Sequence, residues 1–240
     1  MTRTTLGRLL PEQIRLLEAP RPDPALIEGF KALGAAASWI SDAMDEMGLV
    51  GSVPATKLRP TIPGAIIVGP ALTMRNISLG GSPTEQARAG ANGMAEIEAH
   101  NLAQPGDVLV VDGIEGASNL GGVSSTIAQR QGTIGAVVHG GIRDVPHSRQ
   151  IGFPVWSSAV TPMTGKYRLL TVEINGAVDI AGIRVAPGDI VYADDDGVCF
   201  LPRDKAAAIL ALCQKKKQAE DKRLEDIRRG VPVAALAGKR

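Results

Sequence analysis

Residues 116–144 read GASNLGGVSSTIAQRQGTIGAVVHGGIRD, and this stretch decides the fold. It opens as a loop of small residues, Gly116 to Gly122. A helix is predicted over Val123 to Arg130, and Gly132 and Gly135 end it. Ala136 to Val138 is a short apolar strand, after which a glycine pair delivers Arg143 and Asp144. Strand end, glycine loop, helix, strand and charged pair follow one another as in a doubly wound α/β sheet, where ligands bind beyond the carboxyl ends of strands. A glycine loop entering a helix presents free backbone N–H groups to an anion. An arginine fork and a carboxylate at the next strand end add a carboxylate binder and a hard-metal ligand. The pattern points to a small anionic substrate and a divalent cation.

Outward from this stretch, PGDVLVVDG at 105–113 reads as a turn and a strand buried on both faces. A near-copy, PGDIVYADDDG at 187–197, predicts a second strand entering the same core from an equivalent turn. Gly64 to Thr73 reads as a strand bent at Gly69-Pro70, and Arg75 to Gly93 as a long polar connection. Helices are predicted over 25–33, 36–47, 94–103 and 205–229, and a strand over 153–156. Asn175-Gly176 predicts a type I′ hairpin joining 169–174 to 177–185. Residues 1–24, ending in Pro20, Pro22 and Pro24, read as an N-terminal arm. Residues 25–230 read as a single catalytic domain, and 231–240 as a loose tail.

The formal charge of +1 gives no reason to expect a nucleic-acid surface, and aromatics are only 3% of the 240 residues, too few for base stacking. Cys199 and Cys213 fall in no metal or redox pattern and read as buried thiols. The charged N-terminus does not resemble a signal peptide, and no run reaches the roughly 20 apolar residues of a membrane span. The expectation is a cytoplasmic protein.

Other charged groups remain open. Asp42 sits in an apolar-periodic helix and also fits a solvated position. Glu96, Glu98 and His100 do not have HExxH spacing. Asp194-Asp195-Asp196-Gly197 lacks the calcium-loop spacing and reads as a tight turn. Ser124-Ser125-Thr126 lies in no nucleophile elbow and reads as helix-capping hydroxyls. His139 and His147 fit either metal ligation or a supporting hydrogen bond.

Taken with GFPVW at 152–156, PGDIVYADDDGV at 187–198 and the spacing G-x20-R-D from Gly122 to Arg143-Asp144, the chain resembles the RraA-like superfamily over about residues 36–228. That family includes class II aldolases of 4-hydroxy-4-methyl-2-oxoglutarate and 4-carboxy-4-hydroxy-2-oxoadipate, and the regulator of ribonuclease E activity. The resemblance implies an α/β fold, a swivelling-domain-like β/β/α sandwich with N- and C-terminal helices. It implies a homotrimer or hexamer with sites between subunits, while charge and hydropathy predict no membrane or nucleic-acid partner. By the same resemblance Asp144 would bind Mg²⁺ or Mn²⁺ and Arg143 the pyruvate portion of a 2-oxo acid. The loop Gly121-Gly122 and the amides of Val123 and Ser124 would hold the carboxylate. Asp42, and Glu220 from a neighbouring subunit, would supply acids. In the mechanism these residues suggest, Lys166 would meet a distal carboxylate. Three positions depart from the family: His147 and Gly122 where acids are usual, and Ser158 where arginine is. The pyruvate half is kept while the leaving-group side differs. The expected activity is retro-aldol cleavage of a 4-hydroxy-2-oxo acid with oxaloacetate decarboxylation beside it. The alternatives are a non-catalytic regulator of a ribonuclease, or an enzyme acting on another 2-oxo or sugar acid.

Overall fold

The computed structural model describes residues 4–236. Residues 1–3 of the expected arm and 237–240 of the expected tail lie outside the described residues. After a single 3-10 turn at Pro11–Gln13 come two α-helices, α1 (Pro24–Lys31) and α2 (Ala37–Glu46). Asp23 caps α1 by accepting the Ala25 N–H. Two short strands, β1 (Ser52–Pro54) and β2 (Arg59–Pro60), precede the spine of the sheet, β3 (Ile67–Ser78). Helices α3 (Pro83–Arg88) and α4 (Glu96–Leu102) lead to β4 (Val108–Asp112), β5 (Ser118–Leu120), α5 (Gly122–Arg130), β6 (Gly135–Ile142) and α6 (Val145–Ile151). The chain continues through β7 (Val155–Val160), β8 (Leu169–Ile174), β9 (Val178–Ile180), β10 (Ile183–Val185), β11 (Ile190–Asp194) and β12 (Gly197–Leu201). It closes with the long α7 (Ala206–Arg228) and the short α8 (Val233–Leu236).

The main sheet runs β1-β12-β11-β3-β4-β6-β7-β2, with β5 beside β6 and β8 beside β3. Its centre, β3-β4-β6-β7, is parallel, and both flanks are antiparallel. The two Pro-Gly-Asp strands are β4 and β11, and they lie on either side of β3. One pairs parallel to it and the other antiparallel. Each follows a left-handed glycine, Gly106 at φ 87° and Gly188 at φ 82°.

Strand alternation sorts the core into layers, because successive side chains point to opposite faces. Leu72, Leu109, Val111, Ala136 and Val138 face α4, α5 and α6. Val68, Ile190, Tyr192, Cys199 and Leu201 face α1, α2 and α7. The intervening Ala71, Val108, Val110, Val137 and Val191 face the separate two-stranded sheet β9-β10, with Trp156 and Phe200 between. This is a mixed α/β protein with a large mixed sheet and helices at both ends. The order β/β/α follows from the alternation. Each fully buried Val or Leu contributes about 1.5–3 kcal/mol relative to exposure.

Three expectations need correction. The polar run after Arg75 is not all connection, because β3 continues to Ser78 and takes β8 as an antiparallel partner. Asn175-Gly176 does not close a hairpin. Asn175 is left-handed at φ 53°, its N–H bonds Thr73 O and its side chain bonds Leu16 O, so the chain passes from the main sheet to the small one. The hairpin turn lies at Ala181-Gly182, both at positive φ, between β9 and β10. The glycine pair near Arg143 also does not end a strand, since β6 runs through it to Ile142.

Candidate active site at the end of β6

Arg143 and Asp144 follow β6, at the carboxyl end of the parallel strands. Asp144 is left-handed, at φ 60° and ψ 36°, a region that Asp tolerates better than most residues but at some cost. It is the N-cap of α6, yet its side chain does not cap that helix. The carboxylate instead turns to α5, where Oδ2 accepts the Gly122 N–H at 2.8 Å. Arg143 Nε lies 3.7 Å from the same oxygen, and both side chains remain part-exposed. The Arg143 N–H bonds Leu120 O, which fixes β6 to the short strand β5.

Gly121 and Gly122 are needed for close approach. A Cβ on Gly121 would stand 3.0 Å from Asp144 Oδ2 and 3.1 Å from Arg143 Nε. One on Gly122 would stand 3.0 Å from the His147 ring. The first intrahelical bond of α5 is Ser125 N–H to Gly121 O. The amides of Val123 and Ser124 precede it and point out of the helix end, an anion-favouring arrangement. These groups border a cavity of about 280 Å³ whose charged and polar lining includes Glu96, His100, Ser124, Arg143, Asp144 and Lys166. The structure thus brings together Gly121, Gly122, Val123, Ser124, Arg143, Asp144 and Lys166.

It does not bring Asp42 or Glu220 to this cavity within the chain. Both lie on the α2–α7 face, where Glu220 accepts the Trp39 indole N–H at 2.5 Å and Lys217 stacks over the Trp39 ring at 5.3 Å. Ser124 does not cap α5 as its position suggested. Its hydroxyl lies 2.7 Å from His100 Nε2, a partner 24 residues away. The helix end is capped by Asp144 from another segment. The acidic turn is structural: Asp194 accepts the N–H groups of Ala36, Ala37 and Asp196, and Asp195 that of Gly64. His139 Nδ1 accepts the Ala181 N–H, and His147 pairs with Thr126 at 2.9 Å. Ser158 stands in a separate hollow beside Arg59 and Arg149.

Sequence reasoning missed four contributors. Asn119 is fully buried. Its amide donates to Ile114 O, Ala117 O and Gly141 O, and its oxygen accepts from Asn76. It ties the glycine loop to β6. Thr171 extends the network, donating to Asn76 and accepting the Ala95 N–H before α4. Glu96 and His100 enter the cavity from α4. Burial raises the Glu96 carboxyl above the ordinary range, against the pull of Arg8 and Lys166. Burial lowers the His100 imidazole to about 4. No local pattern marks these residues, because their partners are distant in sequence.

Among the described residues no three His, Cys, Asp or Glu side chains gather around one point. A structural zinc site is therefore not built here. Mg²⁺ and Mn²⁺ ask for less: one or two carboxylates, with waters and substrate oxygens completing the shell. The part-exposed carboxylate of Asp144, bordering the cavity, fits that demand.

The family model described as RraA-like, Aldolase/RraA, matches residues 37–200. A protein of Halalkalibacterium halodurans, provisionally named 4-hydroxy-4-methyl-2-oxoglutarate aldolase, is 32% identical over 193 residues, 78% of this chain and 81% of its own. Protein DlpA of Legionella pneumophila is 31% identical over 173 residues, 71% of this chain, so the match spans only 27% of DlpA. Among solved structures, Streptomyces coelicolor RraAS2 is described as an unusual member of the RNase ES inhibitor RraA protein family. It matches with a TM-score of 0.69 at 28% identity, covering 84% of this chain and 96% of its own.

Proposed function

The chain belongs to the RraA-like (Aldolase/RraA) family, and from that premise we propose that it is a divalent-metal-dependent carbon–carbon lyase that cleaves a 4-hydroxy-2-oxo acid to pyruvate. The observation that carries this reading is the convergence of Arg143, Asp144 and the Val123–Ser124 amides on one small cavity. The name of the Halalkalibacterium relative supports it.

The two amides at the start of α5 hold the substrate's C1 carboxylate, assisted by the positive end of the helix. Arg143 faces the 2-oxo oxygen and stabilises the negative charge that grows there as the C3–C4 bond breaks. That bond's electron pair becomes the enolate of pyruvate, and the proton on the 4-hydroxyl passes to a base. Glu96 is the carboxylate whose burial suits it to that transfer within the chain, since a raised carboxyl is a stronger base near neutral pH. The enolate then takes a proton at C3. Lys166 meets the distal carboxylate. Mg²⁺ or Mn²⁺ held by Asp144 would supply Lewis-acid polarisation of the 2-oxo group. Oxaloacetate would lose CO₂ by the same bond cleavage, giving the same enolate. Asp42 and Glu220 would serve a neighbouring subunit's site in a homotrimer or hexamer.

The decisive experiment is pyruvate release from oxaloacetate, coupled to lactate dehydrogenase, with Mg²⁺ or Mn²⁺ and with EDTA, after subtraction of the metal-only rate. Release that EDTA abolishes, and that Arg143→Ala and Asp144→Ala each lose while staying folded, is the expected outcome. Undiminished release in EDTA would overturn the metal-dependent mechanism. A second reading, a non-catalytic regulator of a ribonuclease, is favoured by the likeness to RraAS2. Inhibition of a ribonuclease by a protein that releases no pyruvate would replace the first reading with the second.

A further inference from the structure

His100 and Ser124 form a buried pair at the edge of the cavity, and its two ring nitrogens are not equivalent. The imidazole is 1% exposed. Nε2 lies 2.7 Å from Ser124 Oγ, while Nδ1 is buried with no hydrogen-bond partner. A neutral imidazole carries one N–H. Placing it on Nδ1 would bury a donor with no acceptor, and orphaned buried donors are the rarer defect. Placing it on Nε2 makes His100 the donor and Ser124 Oγ the acceptor. The serine's own proton must then point elsewhere.

The neighbouring carbonyls take no hydrogen bond from it. A helical serine ordinarily back-bonds to the carbonyl four residues earlier. Here that group is Leu120 O, and its two lone pairs are filled by Ser118 Oγ at 2.8 Å and Arg143 N–H at 3.1 Å. Gly121 O, three residues earlier, takes the Ser125 N–H at 2.9 Å and, though it keeps a lone pair, makes no hydrogen bond with Ser124 Oγ, whose one partner is His100. The cavity is the remaining direction.

We propose that the Ser124 hydroxyl, held as an acceptor by His100, donates its proton to the substrate carboxylate beside the Val123 and Ser124 amides, with His100 as a positioning residue. The pair is not a nucleophile and its base. Burial holds His100 far below the range of an effective general base, and no carboxylate orients Nδ1. The inference rests on the 2-oxo acid reading of this cavity and adds a specificity contact to it. A side-chain hydroxyl here favours a ligand with a planar carboxylate over its ester or amide.

The test joins a spectroscopic and a binding measurement on the full chain. In ring-¹⁵N-histidine protein, with the three histidines assigned by substitution, His100 should be in the Nε2–H tautomer at neutral pH. A protonated Nδ1 would overturn the proposal. Titration with pyruvate in Mg²⁺ should show affinity falling on the order of tenfold in Ser124→Ala, the usual scale for a bond to a charged group. In turnover of oxaloacetate the loss should appear in KM, with kcat nearly unchanged, as for a contact made equally in ground and transition states. His100→Leu should behave like Ser124→Ala. His100→Gln, which can place an N–H near the same point, should restore KM. Wild-type affinity in Ser124→Ala, while Asp144→Ala loses binding, would sink the hydroxyl contact and leave the 2-oxo acid reading intact. No pyruvate binding by the wild-type protein would sink both.

Discussion

Asp144 caps a helix that is not its own: its carboxylate accepts the Gly122 N–H at 2.8 Å, while its backbone starts α6 in a left-handed conformation. One residue thereby fixes the angle between the end of β6 and the start of α5. The carboxylate has a structural half, the bond to Gly122, and a half free for chemistry. Asp144→Asn keeps an acceptor oxygen and a side chain that tolerates positive φ. It should leave the melting temperature within a few degrees of wild type while lowering metal-dependent activity by about 100-fold or more. Asp144→Ala loses the cap as well and should cost about 1–2 kcal/mol in addition. Calorimetry and coupled turnover on the two variants separate the halves; equal activity in Asp144→Asn and wild type would deny the carboxylate a role in the chemistry.

The glycines of the loop make unequal predictions. A methyl at Gly121 presses on Asp144 Oδ2 and Arg143 Nε, while one at Gly122 presses mainly on the edge of the His147 ring. The crowded ends are part-exposed and can swing aside, so either alanine should cost under about 1 kcal/mol of stability. Swinging aside displaces Arg143 and Asp144 in the first case and His147 in the second. Gly121→Ala should therefore lower kcat/KM by about 100-fold, the scale of a displacement near 1 Å at a reacting group. Gly122→Ala should lower it much less. The reverse ranking would show that His147, and not the Arg143–Asp144 pair, sets the rate.

Much of this site was legible in advance because its elements are local. The glycine loop, the α5 start and the Arg143-Asp144 pair lie within 29 consecutive residues, 116–144, and strand–loop–helix order places them at one sheet edge. The continuous apolar run Val108 to Val111 predicted a strand buried on both faces, and the near-copy at Ile190 lies on the other side of the same neighbour. What escaped was set by contacts between distant segments. The continuation of β3 into a polar run depends on β8, about 95 residues later. The Asn-Gly hairpin failed because Thr73 and Leu16 claim Asn175. Asn119 and His100 carry no signature at all, since a buried amide or imidazole is defined by its partners.

Asn119 predicts a coupling between stability and the site. Its three donated bonds and two accepted bonds join Ile114, Ala117, Gly141 and Asn76. Asn119→Ala would take a partner from the carbonyls of Ala117 and Gly141, from the part-buried carbonyl of Ile114, and from the Asn76 amide. At about 1 kcal/mol or more for each uncompensated group, a loss of about 3 kcal/mol is expected in denaturant midpoint. Because the loop it holds leads straight into Gly121 and Gly122, activity should fall even at temperatures where the variant is fully folded. A variant with normal turnover below its melting transition would show that the loop keeps its shape without this residue.

His100 makes a prediction about acid. Burial lowers its imidazole from 6.5 to about 4 in the folded chain. Below about pH 6.5 the unfolded chain binds a proton there that the folded chain refuses until about pH 4, so the unfolded state holds more protons between these values. Stability must fall as pH drops through that window, by on the order of 3 kcal/mol for this group alone by pH 4. Glu96 works the other way. Its raised carboxyl keeps its proton longer in the folded chain, a contribution present at low pH and lost as pH rises past its unfolded value of about 4.5. Comparing wild type with His100→Gln cancels Glu96, which both proteins contain. Urea midpoints between pH 4 and 7 should slope upward in the wild type more steeply than in the variant. Parallel curves would mean that the folded protein protonates His100 as readily as water does, which a ring this buried, with Nδ1 unpartnered, should resist.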